Sequence, residues 1–208
     1  MKIINKAYKL RIYPSKEQAE LIDKTIGSSR FVYNYFLNER IKKYKESKES
    51  IDFYSCSRIL TQMKKDSNYI WLKECDKWAL QTSLKDLDSA YSNFFRELKK
   101  GNSNQGFPKF KSKHKSRLSY RTTFTNNNIE IKDNKIKLPK LKWIRFRDNR
   151  DTSNILKIFN VTISKTKTNK YYVSVCVEEF TQEKETTGIM IGIDLGLKEY
   201  LTTSDNEI

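Results

Sequence analysis

Apolar side chains change their spacing twice along the chain. Near the start, Tyr8, Leu10 and Ile12 alternate with Lys9, Arg11 and Tyr13, the period of two expected of a half-buried strand that Pro14 ends. Ser15 with Gln18 three residues later forms a capping box, and Ala19, Ile22 and Ile26 then recur at helical spacing until Gly27, where the pattern predicts a break. A second helix is predicted from about Ser28 to Lys45 on the stripe Phe31, Val32, Tyr35, Phe36 and Tyr44. Two helices with a glycine between them suit a DNA-reading helix-turn-helix or an antiparallel pair that merely packs, and the pattern alone favours the packing pair. A weaker helix is expected over about Ser55–Lys65. Asp76 stands where an N-cap would start the longest helix, in which Leu80, Leu84, Leu87, Tyr91, Phe94 and Leu98 make one continuous stripe to bury.

Beyond Gly101 the texture becomes one of short strands: Ile129–Ile131, Ile136–Leu138 across an Asp133-Asn134 turn, Trp143–Phe146, Ile155–Ile163 and Tyr171–Val177. One strand, a helical insert and then a run of strands predict an α+β chain, a split β-barrel-like domain with a helical domain in its first loop. The polar, acidic stretch Glu178–Thr187 reads as a domain boundary. After it, Ile189–Ile193 reads as a buried strand delivering Asp194, followed by a turn at Gly196 and a second strand from about Glu199 to Thr203. A carboxylate at the end of an apolar strand is costly unless a cation meets it, and divalent metal binding of the RNase H nuclease type would supply one. The same D-x-G turn also holds phosphate in ATPases of the actin type, so GIDLG alone leaves the role of Asp194 open.

Charge narrows the function classes further. The 208 residues carry 41 Lys and Arg against 25 Asp and Glu, a net charge of +16, so a polyanion is the expected partner. The excess is local: residues 99–150 hold 16 basic and 3 acidic side chains, while residues 151–208 hold 6 and 9. From Lys99 to Arg121 there are eight basic residues, no carboxylate, and the interleaved aromatics Phe107, Phe110 and Tyr120. Basic heads for phosphates and rings for bases make Lys109, Lys111, Lys113, Lys115, Arg117 and Arg121 the candidate nucleic-acid backbone contacts. No apolar run approaches the roughly 18 residues of a membrane helix, and the start lacks a signal peptide, so a cytoplasmic location with no membrane partner is expected. Cys56, Cys75 and Cys176 are too far apart for a CxxC zinc half-site and are expected to be reduced, small apolar residues.

The segments KAYKLRIYPSKEQAELI, GSSRFVYNYFLNERI, WALQTSLKDLDSAYSNFFR, GFPKFKSK, SYRTTFTNNNIEI, LPKL and GIDLGLKEY, in that order, resemble the TnpB (OrfB) family of transposon-encoded RNA-guided DNA endonucleases over essentially the whole chain. The resemblance implies a wedge domain with its first strand at 1–14 and its remainder at 101–182. It further implies a helical recognition domain at 15–100, whose 15–46 region is often described as a helix-turn-helix, and the start of an RNase H-like (RuvC) domain at 186–208. Guide RNA and double-stranded target DNA are the implied partners, and a prokaryotic, nucleoid-associated setting follows.

Residue by residue, the resemblance places target-motif reading at Phe53, Ser57, Lys77, Trp78, Gln81, Thr125 and Asn126, with Phe53 lacking the hydroxyl that a tyrosine would offer. Lys77 and Gln81, four apart, share one helix face suited to guanine or phosphate and to adenine. Asp194 matches the first of the family's three catalytic carboxylates; the second and third, and the zinc-ribbon cysteines, have no counterpart in these residues. Mg2+ belongs to the complete family enzyme, and one carboxylate cannot organise two metals. The chain is therefore expected to bind without cleaving by itself, unless a C-terminal half or a second copy completes it. A nuclease-dead RNA-guided repressor and one half of a split nuclease are the alternatives.

Overall fold

In the computed structural model of the protein, which describes residues 2–102, 106–147, 154–181, 188, 190–197 and 200–204, the first alternation belongs to a twelve-residue strand, β1 (Lys2–Tyr13), with Tyr8, Leu10 and Ile12 buried. The Ser15 capping box then starts α1 (Lys16–Ser47). The predicted break at Gly27 is absent: the expected helix pair is one rod of 32 residues. Its buried positions Ile22, Ile26, Ser29, Tyr33, Phe36 and Arg40 continue a single stripe through Gly27. Burial along that stripe outweighs the roughly 1 kcal/mol that an interior glycine costs. Asp52 caps α2 (Phe53–Met63), a 3-10 helix follows at Ser67–Lys73, and Asp76 caps α3 (Lys77–Lys99) as expected. The α3 stripe is buried only at first: Leu80, Leu84 and Leu87 are enclosed, whereas Leu98 is 45% exposed, because the helix outruns its partners.

The remaining strands are β2 (Ser119–Thr123), β3 (Glu130–Lys132), β4 (Lys135–Leu138), β5 (Lys142–Arg147), β6 (Ile155–Lys165) and β7 (Tyr171–Thr181). With β1 they form a curled antiparallel sheet in the order β2-β6-β7-β1-β5-β4-β3. β1 pairs with β7 from Lys2 to Ile12 but with β5 only from Arg11 to Tyr13. Asp133 and Asn134, both at positive φ (49° and 56°), turn β3 into β4, the backbone that an asparagine-rich two-residue hairpin favours. β2, inside the basic stretch, carries too short an alternation for the sequence to announce it; Tyr120 and Thr122 are nonetheless buried. Glu178 and Glu179, expected in a boundary segment, extend β7 instead, and residues 182–187 lie outside the described residues.

Two apolar clusters result. One joins the sheet (Leu10, Ile12, Ile136, Ile144, Val161, Val175) to Ile22 and Ile26 of α1; the other joins Val32, Phe36 and Leu37 of α1 to Leu60, Leu72, Leu80 and Leu84. Within the sheet, Glu179 is only 5% exposed. Its Oε1 takes a 2.8 Å bond from Lys6 Nζ, and its Oε2 takes one from the Tyr8 hydroxyl.

The expected buried strand at Ile189–Ile193 is corrected. Only β8 (Ile193–Asp194) forms, paired with β9 (Thr202–Thr203); Ile191 and Ile193 are 52% and 62% exposed, and Asp194 is exposed too. A two-stranded hairpin with nothing laid across it cannot bury a face. Ile189 and Glu199 lie outside the described residues. Cys56 and Cys75 are buried and Cys176 half-buried, all as free thiols. Among the described residues, no helix is long and apolar enough to cross a membrane.

Two outcomes follow for stability. A Cβ placed on Gly27 meets nothing within 4 Å, so Gly27→Ala is expected to stabilise the protein by about 0.5–1 kcal/mol, read as a rise in Tm. A fall in Tm would instead place a turn there. Lys6 first, and then Tyr8, hold the Glu179 carboxyl below its ordinary value of 4.5, so its contribution is present above that pH and is lost as pH drops through the lowered value. Glu179→Gln is expected to reduce Tm at neutral pH and to flatten its decline in acid; identical acid limbs in the two proteins would contradict this.

Candidate nucleic-acid interface

The start of α3 and the loop after β2 meet in a cleft of about 480 Å3. The Asp76 cap sets one wall: its Oδ1 accepts from the Trp78 amide at 3.0 Å, which orients Lys77 and Trp78 outward from the first turn. The opposite wall is a turn locked by Asn128, whose Oδ1 accepts from the Thr125 amide at 2.8 Å and whose Nδ2 donates to the Thr123 carbonyl at 3.1 Å. Asn126 and Asn127 sit at positive φ (48° and 54°), which asparagine tolerates better than most residues. The lock leaves the Asn126 side chain exposed at the rim.

Four of the seven residues expected to read a target motif, Lys77, Trp78, Thr125 and Asn126, therefore line one cleft. Ser57 and Gln81 bond to each other at 3.1 Å, with Gln81 one turn along α3 from Lys77. Phe53 is half-buried against the helical cluster and is not part of the cleft wall.

Lysines that sequence reasoning did not single out complete the cleft. Lys64, Lys73 and Lys140 line it with Lys77, and Lys140 is carried by the LPKL segment at a positive φ of 65°. Lys77 lies 5.2 Å from the Trp78 ring centre. Burial, and secondarily Lys77, push the Lys64 ammonium down. Burial pushes the Asp76 carboxyl up, opposed by the Thr122 hydroxyl, the Trp78 amide, Lys77 and Lys140. Asp76 Oδ2 and the Thr122 hydroxyl are both buried and face each other. Ammonium groups around an indole, an amide and a hydroxyl can hold a phosphate backbone while offering donors and acceptors to base edges.

A second basic surface lies across α1 and α3. Asn34 clamps the basic loop to α1, donating to the Lys111 carbonyl at 2.9 Å and accepting from the Lys111 amide at 2.8 Å. The Ser112 hydroxyl accepts from the His114 and Lys115 amides, tightening a turn that leaves Lys113 and Lys115 exposed. Lys109 is exposed as well. Lys111 turns inward, its ammonium 4.0 Å from the Tyr33 ring centre and pushed down by burial. Arg121 pairs with Asp86 at 2.6 Å, and Arg117 lies with both on the wall of a groove of about 370 Å3. Of the six expected backbone contacts only Lys111 turns inward; Arg117 and Arg121 are exposed along the groove, and Lys109, Lys113 and Lys115 are exposed on the loop.

Asp194 stands apart from both surfaces, and no three His, Cys, Asp or Glu side chains cluster among the described residues. The residues present do not by themselves fit a two-metal centre.

Comparison with known proteins gives this arrangement its relatives. A family model described as a helix-turn-helix domain, of the OrfB type, matches residues 1–49, which here form β1 and the unbroken α1. Two proteins carry the name "Putative RNA-guided DNA endonuclease". InsQ of Escherichia coli (strain K12) is 30% identical over 97% of this chain and 48% of its own length. A Streptomyces pristinaespiralis protein is 29% identical over 100% of this chain and 50% of its own. The chain spans about half the length of these curated relatives. A Cas12f1 chain, solved by cryo-EM with sgRNA and target DNA, aligns over 97% of this chain and 54% of its own at 16% identity and a TM-score of 0.38. Residues 1–49 thus match the OrfB-type helix-turn-helix model, and nearly the whole chain is similar to about half of each of these two putative RNA-guided DNA endonucleases.

Proposed function

We propose that this chain is the nucleic-acid-binding N-terminal portion of an RNA-guided DNA endonuclease, holding the scaffold of a guide RNA and reading a short duplex motif beside the target. On this reading the sheet is the wedge domain, the helices of residues 16–99 are the recognition domain, and residues 186–208 begin a RuvC-like nuclease domain. The observation that carries it is the convergence of Lys77, Trp78, Thr125 and Asn126 on one cleft. The packing of α3 on β2 brings these side chains together, and they suit base edges more than core packing. Duplex DNA is assigned to this cleft and RNA to the exposed row at Lys109, Lys113 and Lys115. In such a division the protein reads only the short motif, while base pairing with the guide reads the rest.

Enrichment of duplexes from a library with a randomised segment, performed with the chain and its co-purified RNA, tests the division. Lys77→Ala with Gln81→Ala is expected to relax the enriched motif, each lost base contact being worth about 1–3 kcal/mol of discrimination. Replacing Lys113 and Lys115 by Gln is expected to weaken RNA binding for every sequence alike and to lower the salt slope by about two. An unchanged motif in the first variant would remove the reading function from the cleft.

Cleavage is assigned to the complete family enzyme, in which Asp194 would contribute one carboxylate toward Mg2+. The chain supplied with Mg2+, RNA and matched duplex is expected to leave the DNA intact over the period in which binding saturates. Cleavage that disappears in Asp194→Ala would refute this.

A further inference from the structure

Hydroxyl groups crowd the groove between α1, α3 and β2, and those of Ser83, Ser112 and Ser116 have work within the fold. Ser83 donates to the Ala79 carbonyl at 3.0 Å, and the Ser116 hydroxyl accepts from the Ser112 amide at 2.9 Å. On α1, Thr25 and Ser28 donate to the carbonyls of Leu21 and Lys24, at 2.7 and 2.8 Å. Ser29, the next residue, does not follow them. It is 6% exposed, it lines the groove, and its hydroxyl has no hydrogen-bond partner. Around the same groove stand Arg30, Lys111, Arg117 and Arg121, four cations against the carboxylate of Asp86.

A buried, unpartnered hydroxyl among guanidinium groups is completed by an oxyanion, which accepts from the hydroxyl and takes paired N–H donors from arginine. Arg117 also lines the neighbouring surface with Lys113, Lys115, Lys165 and Lys167, so the positive field continues outward from the groove along a path longer than a free ion could use. We propose that the groove seats one phosphodiester of a nucleic-acid strand, with Ser29 donating to a phosphate oxygen and Arg30, Arg117 and Arg121 neutralising its charge. The proposal rests on the nucleic-acid-binding reading above and adds a discrete seat to it. RNA and DNA share this phosphate chemistry, and the test separates them.

Ser29→Ala removes the donor without changing any charge, and because it also removes an unpartnered buried hydroxyl it is expected to keep the wild-type Tm. Binding is measured across a salt series with a single-stranded RNA and with a DNA duplex of equal length. The expected result is a loss of about tenfold in affinity for one of the two probes at an unchanged salt slope, and the probe affected names the strand that occupies the seat. Arg30→Gln is expected to weaken the same probe and to lower its slope by about one. If both variants bind both probes as the wild type does, the seat is overturned while the nucleic-acid reading stands. If the wild type binds neither probe, both fall.

Discussion

The burial of one stripe along α1 is the constraint on which the fold depends. Ile22 and Ile26 close the apolar interior of the sheet, while Val32, Phe36 and Leu37, one to three turns further along the same rod, close the helical cluster. The two clusters are held in register by a helix that passes from one to the other with its backbone bonds intact. A turn at Gly27 would separate them. The mid-helix glycine is tolerated because each side of it is fastened to a different core, so breaking the rod would expose apolar surface at both ends.

Charged groups inside this frame act as pins rather than as a source of bulk stability. Arg40, 8% exposed, reaches Asp88 on α3 at 2.9 Å and lies 5.1 Å from the Tyr91 ring, tying the far end of α1 to α3. Lys165 of β6 reaches Asp23 of α1 at 2.6 Å, and Arg121 of β2 reaches Asp86 of α3. The exposed Arg121–Asp86 pair contributes about 0–1 kcal/mol. The effect of these pairs is positional: Asp86 holds Arg121 and Asp23 holds Lys165 against the fold. The loop lysines 109, 113 and 115 are left facing solvent, where a polyanion can reach them.

Both basic surfaces are built by short-range backbone capture. Asp76, Asn128, Asn34 and Ser112 each spend their side chain on a nearby or facing amide, and each thereby sets the direction of a neighbour that is free to meet a partner. The hydroxyl of Ser29 is an exception, buried without such a use. A polar group left in this condition marks where a fold gives up stability at a place suited to a ligand or to ordered water.

Local patterns carried the elements whose signal is complete within a few residues. The β1 alternation, the Ser15 capping box, the Asp76 cap and the Asp133-Asn134 turn all stand where the sequence puts them, because each is decided by a residue and its immediate neighbours. The polar run after β2 and the first turn of α3 are marked as candidate readers by the family resemblance and not by local pattern. Their meeting in one cleft, the inward turn of Lys111, the unpartnered state of Ser29 and the strand β2 were settled by tertiary structure. So was the fate of Gly27: propensity at one position predicts a break, but the outcome depends on what both flanks bury, and that is determined by residues far away in the chain. The exposure of Asp194 has the same origin, since an apolar run becomes a buried strand only where other elements cover it.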